Sequence, residues 1–200
     1  MKTLAAVLVE TKKPLQLLDL EIPPLRQGQV LVEVFYSGVC HTQLLECSGN
    51  RGQDKYLPHC LGHEGSGIVR EVGSGVSKVK PGDNVILTWM KCKGYDAGGT
   101  TYRFNNKVIN AGPITTFSRY SVISENRLFP FAQPLKMIEA SLFGCAIPTG
   151  FGTIFNTAKI RAGMNVAVFG AGGIGLSSIL ASSLAACHYI FAIDKIESRL

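Results

Sequence analysis

No C-x-x-C pair occurs in this chain: its six cysteines, Cys40, Cys47, Cys60, Cys92, Cys145 and Cys187, are scattered from one end to the other. That spacing offers no structural zinc knuckle. A chain of 200 residues has core enough to need no disulfide staples, so reduced thiols and a cytoplasmic setting are expected. Charge of one sign is not massed either. The formal +6 is carried by basic residues standing singly or in pairs, such as Lys12 with Lys13 and Lys91 with Lys93, and no run or helical stripe of them suggests nucleic-acid binding. The opening MKTLAAVLVE has one lysine, an apolar stretch and then Glu10, Lys12 and Lys13, with no small-residue cleavage pattern, so no signal peptide is read. One long uncharged run exists, residues 166–193. It is broken by Gly170, Gly172, Gly173 and Gly175 and then by Ser177, Ser178, Ser182 and Ser183, which describes a strand, a tight turn and a small-residue helix rather than a membrane span. What is abundant is apolar material, 46% of residues, and that excludes disorder.

Up to about residue 130 the text reads as short strands punctuated by turn residues. Candidate strands are 3–9, 15–20, 30–36, 67–72, 85–89 and 119–123, rich in Val, Ile and Leu and separated by Pro, Gly, Asn and Asp, as in a β-barrel. Pro81, Gly82 and Asp83 show the logic, making a turn from which an apolar run enters a strand. From Pro134 the pattern turns helical through Leu135, Ile138, Leu142 and Phe143 until Gly144. A second helical stretch, 152–160, leads to a buried-type strand at 166–169, then GAGGIG, a helix, and a strand at 189–193 ending on Asp194. This is a β-α-β unit, the first of a doubly wound domain, and 195–200 read as the opening of a further helix. One such unit does not close a dinucleotide-binding sheet, so the text predicts a chain truncated from a longer protein. The fold class expected is mixed β and α/β, with a barrel domain at 1–146 and an incomplete nucleotide-binding domain at 147–200.

Two constellations carry chemistry. In GAGGIG, Gly170, Gly172 and Gly175 satisfy G-x-G-x-x-G with Gly173 between them, and these glycines serve a tight turn, close approach of backbone to a pyrophosphate, and close packing of helix on strand. The motif follows a strand, opens a helix, and precedes Asp194 by 19 residues counted from Gly175. A carboxylate there accepts hydrogen bonds from ribose hydroxyls and repels a 2′-phosphate, favouring NAD over NADP, while Lys195 keeps the preference open. The second constellation is Cys40, His63 and Cys145, in GVCHT, GHEGSG and GCAIPTG. Two thiolates and an imidazole are good zinc ligands, and three protein ligands with one open position is the catalytic arrangement. Their spacings identify nothing by themselves.

GVCHT at 38–42, LGHEGSGIV at 61–69, VGSGVSKVKPGDNV at 72–85, GCAIPTG at 144–150 and GAGGIG with Asp194 follow one another in the order of a known family. With these motifs the chain resembles the medium-chain, zinc-dependent alcohol dehydrogenases over essentially its whole length. The resemblance implies a GroES-like barrel catalytic domain, a Rossmann domain binding NAD(P), and an active site served by both. Carried over residue by residue, it implies that Cys40, His63 and Cys145 bind one catalytic zinc, with Glu64 close behind as an alternative or outer carboxylate. It implies that Thr42 hydrogen-bonds the substrate oxygen, that His41 faces the cofactor pyrophosphate, that Thr149 sits beside the nicotinamide, and that Trp89 forms an aromatic wall of the substrate pocket.

Three departures from the family pattern stand out. Gln43 replaces an aspartate that usually orients the zinc-binding histidine, and an amide does not raise imidazole basicity as a carboxylate does. Leu45 replaces a histidine that commonly finishes a proton relay. The region 90–116 holds Cys92 as its one cysteine where many members have a four-cysteine lobe, so no structural zinc is expected. The function these residues predict is a zinc-dependent hydride transfer between a primary or secondary alcohol or polyol and NAD. The alternatives are a zinc-free quinone or enoyl reductase of the same superfamily, or a non-catalytic nucleotide-binding relative. The partners expected are a small alcohol or carbonyl compound and, at full length, a second copy of the subunit, with neither nucleic acid nor membrane. The 200-residue chain alone is expected to be inactive.

Overall fold

A computed structural model describes residues 1–132 and 134–200. Contacts divide them into two units, Met1–Gly144 and Cys145–Leu200.

In the first unit, β1 (Lys2–Leu8), β2 (Gln16–Glu21), β4 (His59–Cys60), β7 (Thr100–Phe104) and β8 (Lys107–Gly112) close a barrel in the order β1-β2-β7-β8-β4. A five-stranded sheet runs β10-β6-β5-β3-β9, from β3 (Gln29–Ser37), β5 (Glu64–Val72), β6 (Asn84–Thr88), β9 (Tyr120–Ser124) and β10 (Leu128–Pro130). Strand β3 explains how the two share a body. Successive side chains of a strand point to opposite faces, and here Leu31 enters the barrel core with Val7, Leu20, Tyr102 and Ile109, while Val30 and Val32 enter the sheet core with Val69, Leu87 and Ile123. Because both faces are covered there, Val30, Leu31 and Val32 are apolar in succession and do not alternate with polar residues. Tyr102 brings a polar atom into the barrel core, and its hydroxyl oxygen accepts the Val122 N–H at 2.8 Å.

Short strands were harder to read from the text than long ones. Strands β4, β7, β8 and β10 fall outside the expected set, as does the helix α1 (His41–Cys47). The β7–β8 hairpin had one local signal: Asn105 and Asn106 both take positive φ, 46° and 63°, the conformation that a two-residue hairpin turn needs and that asparagine tolerates. Helix α2 (Met137–Ala140) starts three residues later than its expected opening at Pro134 and tightens into a 3-10 turn over Ser141–Gly144.

The second unit begins with α3 (Ala146–Gly152), which continues as a π-helical turn over Thr153–Thr157. Then β11 (Val166–Phe169), α4 (Gly173–Leu184) and β12 (Ile190–Ile193) form the expected β-α-β unit, with β11 and β12 parallel and paired residue for residue from Val166 with Ile190 to Phe169 with Ile193. Helix α4 buries its serine face: Ser177, Ser178 and Ser182 are buried, and each hydroxyl donates to the carbonyl one turn back. That bonding makes a small side chain apolar enough to pack, and α4 lies so close to α3 that a Cβ on Gly150 would stand 2.5 Å from Ser177 Cβ. The uncharged run 166–193 is thus strand, turn, helix and strand. Among the described residues no single helix is long and apolar enough to cross a membrane. Residues 197–199 form a single 3-10 turn.

Candidate metal centre

Cys40 stands at the N-cap of α1, in extended backbone. His63 immediately precedes β5, after Gly62, whose φ of +93° and crowding against Thr116 and Phe117 require glycine. Cys145 follows Gly144, and Gly144 is pinned to the first unit: its carbonyl accepts the Thr88 hydroxyl at 2.8 Å, and a Cβ there would stand 2.2 Å from the Leu87 carbonyl oxygen. One peptide bond therefore fixes where the Cys145 backbone starts. The ligand atoms of Cys40, His63 and Cys145 all lie within 4.8 Å of one another, with Cys145 buried and the other two half-buried. Donor atoms grouped that closely could hold one metal ion between them. The chemistry of the set fits zinc, with soft thiolates and an imidazole and no surplus charge.

Burial keeps the His63 ring neutral, holding the imidazole below its ordinary range; Glu46 pulls the other way and Arg51 adds to the lowering. A neutral ring is the form that binds metal. Its Nδ1 lies 2.6 Å from Gln43 Nε2. Thr42, on the first turn of α1, places its hydroxyl 3.6 Å from Cys40 Sγ. Glu64 is buried at the start of β5, behind His63 in sequence, and is packed so closely that a Cβ on Gly38 would meet its Oε1 at 2.4 Å and a Cβ on Gly144 its own Cβ at 2.7 Å. Those two glycines, in GVCHT and GCAIPTG, both closely approach Glu64.

Other residues singled out in the sequence fall as follows. His41 is the exposed first residue of α1. Trp89, just past β6, is 48% exposed and is therefore not core. A cavity of about 640 Å³ elsewhere in the first unit is lined by Arg51, Lys55, Tyr56, His59 and Asn110 among others, without Trp89. In the second unit, Thr149 on α3 has its hydroxyl 3.9 Å from Cys145 Sγ. Of the glycine motif, Gly170 takes φ +98°, and Gly175 lies so near that a Cβ would overlap the Gly170 carbonyl oxygen. Around Gly172 an added Cβ would meet nothing within 4 Å, and around Gly173 only Ala146 at 3.9 Å. Asp194 closes the β-α-β unit from the other side. Its Oδ2 accepts the Ala171 N–H at 2.8 Å and its Oδ1 the Ile196 N–H at 2.9 Å. Those backbone donors, with Arg199 nearby, hold its carboxyl below the usual range. The sequence suggests a ribose acceptor at Asp194 and gives no sign that its carboxylate ties the glycine turn to β12.

Two of the other thiols, those of Cys60 and Cys92, are of another kind. Cys60 faces the barrel core, where burial pushes its thiol up to about 12, the mark of an inert packing cysteine. Cys92 lies 3.1 Å from Lys78 Nζ and donates toward the carbonyls of Asn126 and Leu128 at 3.0 and 3.3 Å.

A barrel with a crossing sheet, followed by a β-α-β unit and carrying a Cys, His, Cys donor set, defines a class of GroES-like domain joined to a nucleotide-binding type of fold. The model of the alcohol dehydrogenase GroES-like domain matches residues 26–133, and the chain belongs to that family. An S-(hydroxymethyl)glutathione dehydrogenase of Photobacterium damsela subsp. piscicida is 36% identical, the match covering 100% of this chain and 60% of the relative. Among solved structures, an alcohol dehydrogenase zinc-binding domain protein from Burkholderia ambifaria superposes with a TM-score of 0.90 at 30% identity, again over 100% of this chain and 60% of the other. A benzyl alcohol dehydrogenase from Acinetobacter calcoaceticus gives 0.86 at 28% identity, with the same coverage. The chain thus spans about 60% of the length of the relatives it matches.

Proposed function

We propose that residues 1–146 are the zinc-binding catalytic domain, and 147–200 the first part of the NAD-binding domain, of an oxidoreductase that moves a hydride between a primary or secondary alcohol, or a polyol, and NAD. The observation that carries this reading is the convergence of the Cys40, His63 and Cys145 ligand atoms within 4.8 Å. Such a donor set has no use in a zinc-free reductase or a purely nucleotide-binding relative. When bound, the zinc supplies Lewis acidity toward an alcohol or carbonyl oxygen, and the nicotinamide exchanges the hydride.

The chain's own residues supply the rest. Two thiolates and one neutral imidazole give a donor set that balances the charge of a divalent ion, which moderates how strongly an anionic oxygen is held. Thr42, half-buried beside Cys40, has a hydroxyl that both donates and accepts, as passing an alcohol proton outward requires. Leu45 on the next turn of α1 has no group to continue that path, so the proton goes to water. His41 and Thr149 are assigned to the cofactor, Trp89 to a wall of the substrate pocket, and Glu64 to a carboxylate role behind the metal. Gly172, with open space around it, suits close approach of a pyrophosphate, and the Asp194 carboxylate supports NAD over NADP.

The test is metal content. Elemental analysis of protein purified under reducing conditions, without added zinc, is expected to find about one zinc per chain, lost in both Cys40→Ser and Cys145→Ser. Zinc that is absent, or indifferent to both substitutions, would send the argument to the zinc-free reductase. A turnover screen with NAD on the full-length protein would begin with hydroxymethyl compounds, S-(hydroxymethyl)glutathione and benzyl alcohol, because the relatives' names point there.

A further inference from the structure

Gln43 answers two neighbours with one amide, and only one end of an amide can accept. Its Oε1 takes the Cys40 backbone N–H at 2.9 Å, the reach-back bond of a helix cap. That contact assigns the amide's orientation, because an amide nitrogen placed there would oppose donor to donor. Nε2 is then the atom 2.6 Å from His63 Nδ1. Since Nε2 donates, Nδ1 accepts, and the proton of the neutral ring resides on the other nitrogen, Nε2 of His63. With Nδ1 engaged by Gln43, that second nitrogen is the one left to a metal, and a protonated ring nitrogen has no lone pair to give.

Ligation therefore needs the His63 proton to move to Nδ1, where it would point at the donor end of Gln43. The amide must turn over so that Oε1 receives Nδ1–H, and the Cys40 N–H then loses its acceptor. Gln43 is 3% exposed, so bulk water is not at hand to replace the missing bond. A carboxylate in this place would accept from both donors at once. We propose that Gln43 is a positioning residue that latches His63 in the tautomer unable to ligate, so that this chain holds zinc more weakly and exchanges it more readily than it would with an acid at position 43. The inference rests on reading Cys40, His63 and Cys145 as the zinc site.

The experiment has two arms on the full chain. Long-range proton–nitrogen correlation spectra of the metal-stripped protein report the His63 tautomer, and the proton is expected on Nε2. Zinc affinity by competition with a chromogenic chelator compares the chain with Gln43→Glu, nearly equal in shape, and with Gln43→Met, which removes the opposing donor without adding charge. Gln43→Glu is expected to tighten zinc by roughly 10–100-fold, the range usual for partners of metal-bound histidines, and to move the proton to Nδ1. Gln43→Met is expected to bind zinc at least as tightly as the unchanged chain. An Nδ1–H signal in the unchanged protein would overturn the latch, as would a folded Gln43→Glu of unaltered affinity or a Gln43→Met that binds more weakly. Should Gln43→Glu not fold, the tautomer of the unchanged protein decides. Zinc lost in Cys40→Ser yet indifferent to position 43 sinks the latch alone, whereas no zinc uptake by any of these chains sinks the zinc reading and the latch together.

Discussion

Glu125 is a carboxylate almost removed from water, 1% exposed, and it makes the loops of the first unit converge. Its Oε1 accepts the N–H groups of Ser77 and Lys78, both at 2.7 Å, and its Oε2 accepts the Tyr95 N–H at 2.5 Å. Loop 73–80 is thereby tied to the segment 91–99, part of the region where many relatives by resemblance keep a four-cysteine lobe. Burial by itself raises the Glu125 carboxyl, but the Tyr95, Lys78 and Ser77 donors and the Lys78 charge outweigh it, and the net position is below the ordinary range. Glu125→Gln keeps the shape but gives one oxygen for three donors, and a cost of about 3 kcal/mol is expected in urea unfolding near neutral pH. The sign of the pH dependence follows. A carboxyl depressed in the folded state contributes stability that is fully present above its unfolded pKa of about 4.3 and fades as pH falls through the lower folded value. The gap between the parent chain and Glu125→Gln should therefore narrow in acid. A gap that stays constant down to pH of about 3 would refute the assignment.

At the scale of elements, the candidate site is held by glycines whose missing Cβ atoms are occupied by neighbours. Gly38 precedes α1 and Gly144 precedes α3, and both crowd Glu64 on β5, but the obstacles differ. At Gly38 an added methyl would meet the Glu64 side chain, which has torsions to move; at Gly144 it would meet the Leu87 carbonyl at 2.2 Å, which belongs to a paired strand. Overpacking of this kind costs on the order of 1–3 kcal/mol, so Gly144→Ala is expected near the top of that range and Gly38→Ala near the bottom. Thermal unfolding of the two variants checks the order, and a larger loss at Gly38 would contradict it. The same elements show what the sequence could and could not disclose. Long strands such as β3 and β5 were legible because β-branched runs and flanking turns leave little choice, and the β-α-β unit because GAGGIG lies between two apolar strands. Helix α1 was hidden: seven residues, HTQLLEC, are too few to display a helical period, and its cap is a cysteine with a glutamine reaching back, not a standard start signal. The text marked Gln43 as a departure from family pattern, yet its contact with His63 Nδ1 joins residues 20 apart in sequence, which no local pattern records.

For the whole molecule, the two units differ in how far they bury their own apolar surface. Residues 1–144 contain two closed cores built from both faces of shared strands. Residues 145–200 contain a sheet of only β11 and β12, and α4 turns its serines inward while Ile174, Leu176, Leu180 and Leu184 stay exposed, as do Phe169 and Phe191 on the strands. A dinucleotide site of the Rossmann kind lies where two β-α-β-α-β halves meet, the first holding the pyrophosphate turn and the second completing the cleft. This chain shows a turn with the expected glycines and an Asp194 whose carboxylate is already bonded to Ala171 and Ile196. The described residues of the second unit offer a cofactor that turn but no second β-α-β half, and a half-site pays the loss of ligand freedom with few contacts in return. Calorimetry on residues 1–200 should accordingly give no micromolar NAD binding, while zinc uptake, if Cys40, His63 and Cys145 are its ligands as proposed, should persist. Micromolar NAD affinity in this chain would mean that the β11–α4–β12 unit suffices as a cofactor site.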